Sequence, residues 1–250
     1  MSGVLIVAPL PIAAVPTVAG VGAANLRTAD PREVWTAPSA AAVTMDVDMG
    51  AVVSVDSFFI GYTNAAAAAT WSIATGTGLG AGLVTVQAAT SLRAADSLGP
   101  RHHGFVRLAA PVASRYFRLV LTQSGATPLY AGALVIGRAF EKHREYGAGR
   151  TMIDTGERQD LVSGGFGMGD GTVKAQFAFS FIDLTDAEVH TLEGIQRDRG
   201  LRKPVVVVEN ADLTIGRNEA IHYGVFERFA ANERQDPTST KWAGTVVEWA

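Results

Sequence analysis

Arg115-Tyr116-Phe117-Arg118-Leu119-Val120-Leu121-Thr122 and, beyond a polar turn, Tyr130-Ala131-Gly132-Ala133-Leu134-Val135-Ile136-Gly137 decide the fold class. In an extended chain successive side chains point to opposite faces, so Phe117, Leu119 and Leu121 share one side and Tyr116, Arg118, Val120 and Thr122 the other. That is a strand with one buried face. Gln123-Ser124-Gly125-Ala126-Thr127-Pro128 supplies turn residues between the two runs, which predicts a β-hairpin with a loop longer than the tightest type, closing an N-terminal β-sandwich.

Working back from this pair, the same alternation recurs. Val43 to Met49 alternates, Gly50 interrupts, and Val52 to Ile60 resumes with Phe58 and Phe59; these read as two strands. Thr70 to Ala74 and Leu83 to Gln87 alternate again, joined by the glycine-rich stretch Gly76 to Gly82. Five alanines, Ala65 to Ala69, are too few to hold a helix alone. Short strands at this spacing predict an antiparallel sandwich or jelly roll over residues 25–139.

Working forward, the charged segment Ala139 to Gly147 marks a boundary near residue 140. In the second domain, 140–250, Val173, Ala175, Phe177, Phe179 and Phe181 form one strand face. A helix over 186–199 follows. Thr185 and Glu188 fit a capping box, Leu184 and Val189 a hydrophobic staple, Val189, Leu192 and Ile195 one stripe, and Gly200 a stop. Val205 to Val208, Ala220 to Phe229 and Trp242 to Trp249 read as three more strands. The fold class is therefore mainly β, a jelly-roll sandwich followed by a β-rich domain with one helix.

The chain of 250 residues has room for two cores. With 21 basic and 24 acidic residues, net charge −3, it lacks the clustered positive charge that a nucleic-acid partner demands. No cysteine is present, which excludes disulfides and thiolate metal sites. Val4-Leu5-Ile6-Val7-Ala8-Pro9 opens an apolar stretch as long as a membrane span, but Pro9, Pro11 and Pro16 bar a spanning helix, and the positive n-region of a signal peptide is missing. Residues 1–24 read instead as an extended apolar arm, with Val4, Leu5, Ile6 and Val7 as candidate assembly contacts.

Few residues suggest chemistry. His102-His103 follows Gly99-Pro100, which reads as an exposed surface loop; neighbours on a strand face opposite ways, so both rarely reach one metal ion. Asp186 and His190 share a helix face, yet a carboxylate in the first turn is explained by the helix dipole. The glycines from Gly164 to Gly171 lack the strand-before, helix-after context of a phosphate loop and read as a flexible hairpin or inter-subunit loop, with Gly165, Phe166 and Met168 as candidate contacts. There is no Gly-x-Ser-x-Gly elbow. No catalytic residue, metal ligand or cofactor site is nominated, and the chain is read as a non-enzyme.

The series Asn25-Leu26, Asp30 to Trp35, Val43 to Gly50, Thr70-Trp71, Arg115 to Leu119 and Tyr130 to Gly137 resembles minor tail or baseplate proteins of long-tailed bacteriophages, whose N-terminal half is similar to a discoidin-type, galactose-binding-like jelly roll. Asp154-Thr155-Gly156, Gly164-Gly165, Phe177 to Phe181, Lys203-Pro204-Val205, Tyr223-Gly224 and Trp242 to Glu248 fit the remainder of such a protein. The resemblance implies a structural subunit of a virion tail or tail tip, made in the host cytoplasm and acting through contacts with copies of itself and with other tail proteins in a ring. The rival class is a carbohydrate-binding module for host surface glycan, using an aromatic platform and a few polar side chains. Its candidate contacts are Trp35, Tyr62, Trp71, Arg101, His102 and His103.

Overall fold

A computed structural model describes residues 3–15, 19–38, 42–94, 97–124, 127–160, 162–210 and 212–249. Part of the expected arm (1–2 and 16–18) and of the turn after Thr122 (125–126) lies outside them. The chain forms two compact units: Met1–Glu141 with Val206–Ile221, and Lys142–Val205 with His222–Ala250.

The first unit contains β1 (Val4–Pro9), β2 (Trp35–Thr36), β3 (Ala42–Thr63), β4 (Thr70–Gly76), β5 (Val84–Ser91), β6 (His102–Thr122), β7 (Tyr130–Ala131) and most of β8 (Ala133–Lys142). The two long antiparallel strands β3 and β6 are its frame. Val47 pairs with Phe117 at one end of the ribbon and Phe58 with Val106 towards the other. An extended chain rises about 3.3 Å per residue, which puts Val47 and Phe58 roughly 36 Å apart if the ribbon is straight. The rings of Phe58 and Phe117 nevertheless meet edge to face with centroids 5.5 Å apart. The ribbon therefore doubles over and packs one half on the other, which makes a two-layered β-sandwich. Between Val47 and Phe58 the register shifts twice, between Asp48 and Val53 and between Val55 and Ser57, and Gly50 stands at φ +80°, a left-handed backbone that glycine adopts without a Cβ penalty. β3 runs through Gly50 as one strand where the sequence predicts two.

Between the layers lie Leu26, Trp35, Phe58, Trp71, Phe117, Leu119 and Leu121, each buried. Phe117, Leu119 and Leu121 are the face that alternation predicts. On the opposite side of β6, the guanidinium of Arg118 forks onto Asp46 (Nε to Oδ1 2.6 Å, Nη2 to Oδ2 2.7 Å), and at the register shift that of Arg115 forks onto Asp48 (2.8 and 2.9 Å). Such two-bond pairs fix strand geometry as well as neutralising charge.

The predicted hairpin does not form. The second half of β6 pairs with Ala42 to Asp48 of β3 and with β4, whereas β8 pairs with Ser57 to Gly61 of β3. The connection is long enough to pass from one layer to the other. Asn64 holds its end, donating to the Pro128 carbonyl (2.9 Å) and accepting from the Tyr130 amide (2.9 Å). Composition marks a turn here but does not set which strands it joins.

Val4 to Val7, expected to lie across another subunit, are buried inside this unit. β1 is an internal strand between β8 and β13 (Val205–Val208), with Leu5 opposite Val208 and Val7 opposite Val206. An all-apolar strand needs cover on both faces. Its backbone passes so near β8 that a Cβ on Gly137 would sit 2.5 Å from the Ala8 carbonyl oxygen. These four side chains have no surface to offer a neighbour.

The second unit contains β9 (Gly149–Asp154), β10 (Arg158–Asp160), β11 (Phe166–Met168), β12 (Val173–Leu184), α1 (Asp186–Arg199), β14 (Ile221–Phe229, from His222 on), β15 (Glu233–Arg234) and β16 (Thr240–Glu248). Its antiparallel strands run in the order β14, β16, β12, β9. Phe177, Phe179 and Phe181 are buried along one face of β12, and the indole of Trp242 stacks on Phe181 (5.6 Å, 18°). Val173, assigned to that face by alternation, is exposed where the strand begins. The capping box is present at α1: Thr185 Oγ1 accepts from the Glu188 amide (3.4 Å) and Glu188 Oε2 from the Thr185 amide (2.8 Å). Leu192 carries the buried stripe. Among the described residues no helix is long and apolar enough to cross a membrane.

Candidate functional site

At one end of the β3–β6 ribbon, polar groups from three chain segments meet. β3 ends at Tyr62-Thr63 and β6 begins at His102, with Thr63 opposite His102 and a register shift between Ile60 and Thr63. Tyr62 sits in that irregularity at φ +56°, a strained conformation for a bulky side chain. Its ring meets the His103 imidazole edge on (5.0 Å, 82°), and its amide donates to His103 Nδ1 (3.4 Å). The guanidinium of Arg101 lies 5.9 Å from the Tyr62 ring centre, within cation–π range. Arg101 is exposed, whereas both histidines and Tyr62 are buried.

The third segment is Arg217-Asn218-Glu219. Asn218 Oδ1 accepts from the His103 amide (2.7 Å), and its Nδ2 donates to the Arg101 carbonyl (3.4 Å). Arg217 donates to the Phe105 carbonyl (2.9 Å), and burial lowers its guanidinium below the ordinary arginine value. Glu219 Oε1 accepts from the Leu98 amide (2.8 Å); its Oε2 is buried with no hydrogen-bond partner among the described residues. An unmatched buried carboxylate oxygen costs stability.

His102 is fixed from both sides. Its Nε2 faces the Arg93 guanidinium and its Nδ1 lies 2.8 Å from Ser97 Oγ. Burial, and then the Arg93 charge, lowers its pKa, so the ring is neutral near pH 7. Arginine only donates; the proton therefore sits on Nδ1 and is donated to Ser97. Among the described residues no three His, Asp or Glu side chains are grouped to hold a metal ion.

Of the six residues expected at a glycan site, Tyr62, Arg101, His102 and His103 come together here. Trp35 and Trp71 do not: at 0% and 1% exposure they belong to the core between the layers, where they face inward from β2 and β4. The Trp35 indole is spent on the Ala19 carbonyl (2.9 Å). Neither can be an aromatic platform. Arg93, Ser97, Arg217, Asn218 and Glu219 complete the cluster and carried no signal in the sequence.

The second unit presents a different surface. β10 and β11 form a hairpin, with Arg158 opposite Met168 and Asp160 opposite Phe166. Phe166 is 56% and Met168 78% exposed, although Arg158 covers part of the Phe166 ring at 4.6 Å from its centre. Gly165 is exposed with open space around it. A separate open cleft of about 470 Å³ lies over β12, β14 and β16, lined by Phe179, Ser180, Arg228, Phe229 and Thr245 among others. Asp186 and His190 are both exposed on α1, and Arg234 lies 3.6 Å from the Asp186 carboxylate.

No protein-family model matches the chain, and no curated protein matches it. Solved structures do. A chitosan-binding module from a chitosanase/glucanase of Paenibacillus sp. IK-5 is 13% identical, with 52% of this chain and 97% of that one covered and a TM-score of 0.40. The CBM32 of AlyQ in complex with 4,5-unsaturated mannuronic acid is 16% identical, with 52% and 97% covered and a TM-score of 0.40. Reduced XRCC1 bound to the DNA pol beta catalytic domain is 14% identical, with 53% and 98% covered and a TM-score of 0.41. Of the longer SpGH29 chain only 28% is covered. The ligands and partners of these proteins differ, and at this distance the likenesses decide nothing about function. The chain is a mainly β protein built on an antiparallel sandwich.

Proposed function

We propose that the chain is a non-enzymatic recognition protein whose first unit binds a glycan at the corner made by Tyr62, Arg101 and Arg217 to Glu219. The observation that carries this reading is the exposed Arg101 guanidinium over the Tyr62 ring, on a segment that Asn218 ties to Glu219, whose Oε2 has no hydrogen-bond partner among the described residues. Sugar hydroxyls both donate and accept: Arg101 is the donor at the surface, and Glu219 Oε2 serves as an acceptor once binding uncovers it, both on segments held in place by other bonds. Asn218 and the two histidines provide that support. A printed array of neutral and acidic glycans tests the reading: binding by the full chain, reduced at least about tenfold in Arg101→Ala, is expected. Equal binding by the variant, or none by either protein, overturns it.

A second reading, assembly into a larger particle, is favoured by the Phe166–Met168 hairpin. Exposed apolar side chains on a projecting hairpin suit a protein–protein contact. It is also what the sequence resemblance to phage tail and baseplate proteins implies, with a place in the virion tail. Immunogold labelling of particles released from the source, with antibody against this chain, distinguishes the two: label at tail ends supports assembly, and unlabelled intact and disrupted particles remove it.

A further inference from the structure

The edge strand β9 has a feature that neither reading uses. It ends the strand order of the second unit, pairing through all six of its residues with β12 without a register shift. Five of its residues are exposed and Ile153 is half-buried. Protein edges are ordinarily blunted by charged side chains, proline or a bulge, because their outward amides and carbonyls invite another strand. Gly149-Arg150-Thr151-Met152-Ile153-Asp154 has no proline, lysine or bulge, and its two charges, Arg150 and Asp154, are of opposite sign and so repel a neighbouring strand only in some registers.

We propose that β9 is a self-pairing edge, joining two copies of this chain as antiparallel strands about a two-fold axis through Met152. The sequence is complementary to itself in that register alone. With Met152 opposite its own copy, position 150 of one chain faces position 154 of the other, so Arg150 meets Asp154 at both ends and Thr151 meets Ile153 between them. Opposite charges directly across a ladder stabilise it, and like charges destabilise it. A parallel in-register pair would set Arg150 on Arg150 and Asp154 on Asp154. The Asp154 carboxylate receives the Gly156 amide on Oδ1 (2.8 Å), and a carboxylate accepts several donors at once. At the centre, Met152 is 56% exposed in the single chain, an apolar side chain that the pairing covers. A two-fold contact of this kind closes on itself and gives a dimer. The occupant is thus a second copy, and the addition of a strand supplies main-chain hydrogen bonds while the 150/154 charges select register and direction.

Sedimentation velocity of the full chain across a concentration series tests this. The wild type is expected to associate reversibly to a dimer. Arg150→Glu and Asp154→Arg, each placing like charges at both ends, are expected to weaken association by about tenfold or more, since the axis duplicates every substitution. The double variant Arg150→Glu/Asp154→Arg restores opposite charges in the same register and is expected to recover dimerisation. Both positions of change are exposed, and circular dichroism checks that the three variants fold. A wild type that stays monomeric throughout the series, single variants that associate as tightly as wild type, or a double variant as weak as the singles each overturns the proposal.

Discussion

The β3–β6 ribbon of the first unit and the β14-β16-β12-β9 sheet of the second both arise from period-two alternation, yet they treat their surfaces in opposite ways. The ribbon folds onto itself, so its apolar faces cover one another, and Asp46–Arg118 and Asp48–Arg115 lock the paired strands outside that core. Its polar corner is held by bonds within the unit, with the exposed Arg101 as its outermost group. The sheet of the second unit buries one stripe of rings on β12 but leaves β9 as an open edge and Phe166 and Met168 on a projecting hairpin. Where the strand doubles over, the chain satisfies itself and can present a small, rigid site. Where it ends in an unpaired edge, it is built to be completed by something else.

Removing a large side chain from the folded ribbon is the most severe way to break this contrast. Phe117→Ala takes away the ring that meets Phe58 across the layers and is expected to cost about 3–5 kcal/mol of stability in chemical denaturation; a loss under about 1 kcal/mol would mean that the two halves do not pack as described. Arg118→Ala sharpens the comparison one step down. It leaves the buried Asp46 carboxylate without its guanidinium, for an expected loss of about 3 kcal/mol, whereas an exposed pair such as Arg197–Glu193 on α1 should be worth well under 1 kcal/mol.

The smallest effect is one of pH. Hydrogen bonds from Arg115 hold the Asp48 carboxyl below the ordinary value of 3.8. The unfolded chain therefore takes up this proton first as the solution is acidified. The stabilisation is complete above 3.8 and disappears as pH falls through the lower folded value. The difference in stability between wild type and Asp48→Asn should be flat above about pH 5 and shrink below it; a difference that grows on acidification would contradict the pairing.

Local physics was legible in the sequence, and long-range partnership was not. The face of Phe117, Leu119 and Leu121 follows from alternation. The helix Asp186–Arg199 follows from the Thr185–Glu188 box and Gly200, all within one short stretch. By contrast, the turn after Thr122 looks like a hairpin because its composition is that of a turn; only the packing of two layers reveals that β3 lies between its flanking strands. Val4 to Val7 read as an unclaimed apolar arm since Val206 to Val208, their partners, lie some two hundred positions on. The same distance conceals the corner. Tyr62 and Arg101 to His103 could be singled out as aromatic and polar residues beside turns, but Asn218 is 115 positions from His103, and nothing local marks it as a bonding partner. Trp35 and Trp71 misled in the other direction, for an aromatic residue in a strand is equally apt for a core or a platform, and the doubled ribbon turns both inward.

Backbone amide NMR of the full chain, titrated with a panel of neutral and uronic methyl glycosides at millimolar concentration, tests whether the corner of the first unit is a glycan site. Saturable shift changes concentrated at Leu98 to His103 and Arg217 to Glu219, lost in Arg101→Ala, are expected. No shifts with any sugar, or shifts centred on another part of the chain, would contradict it.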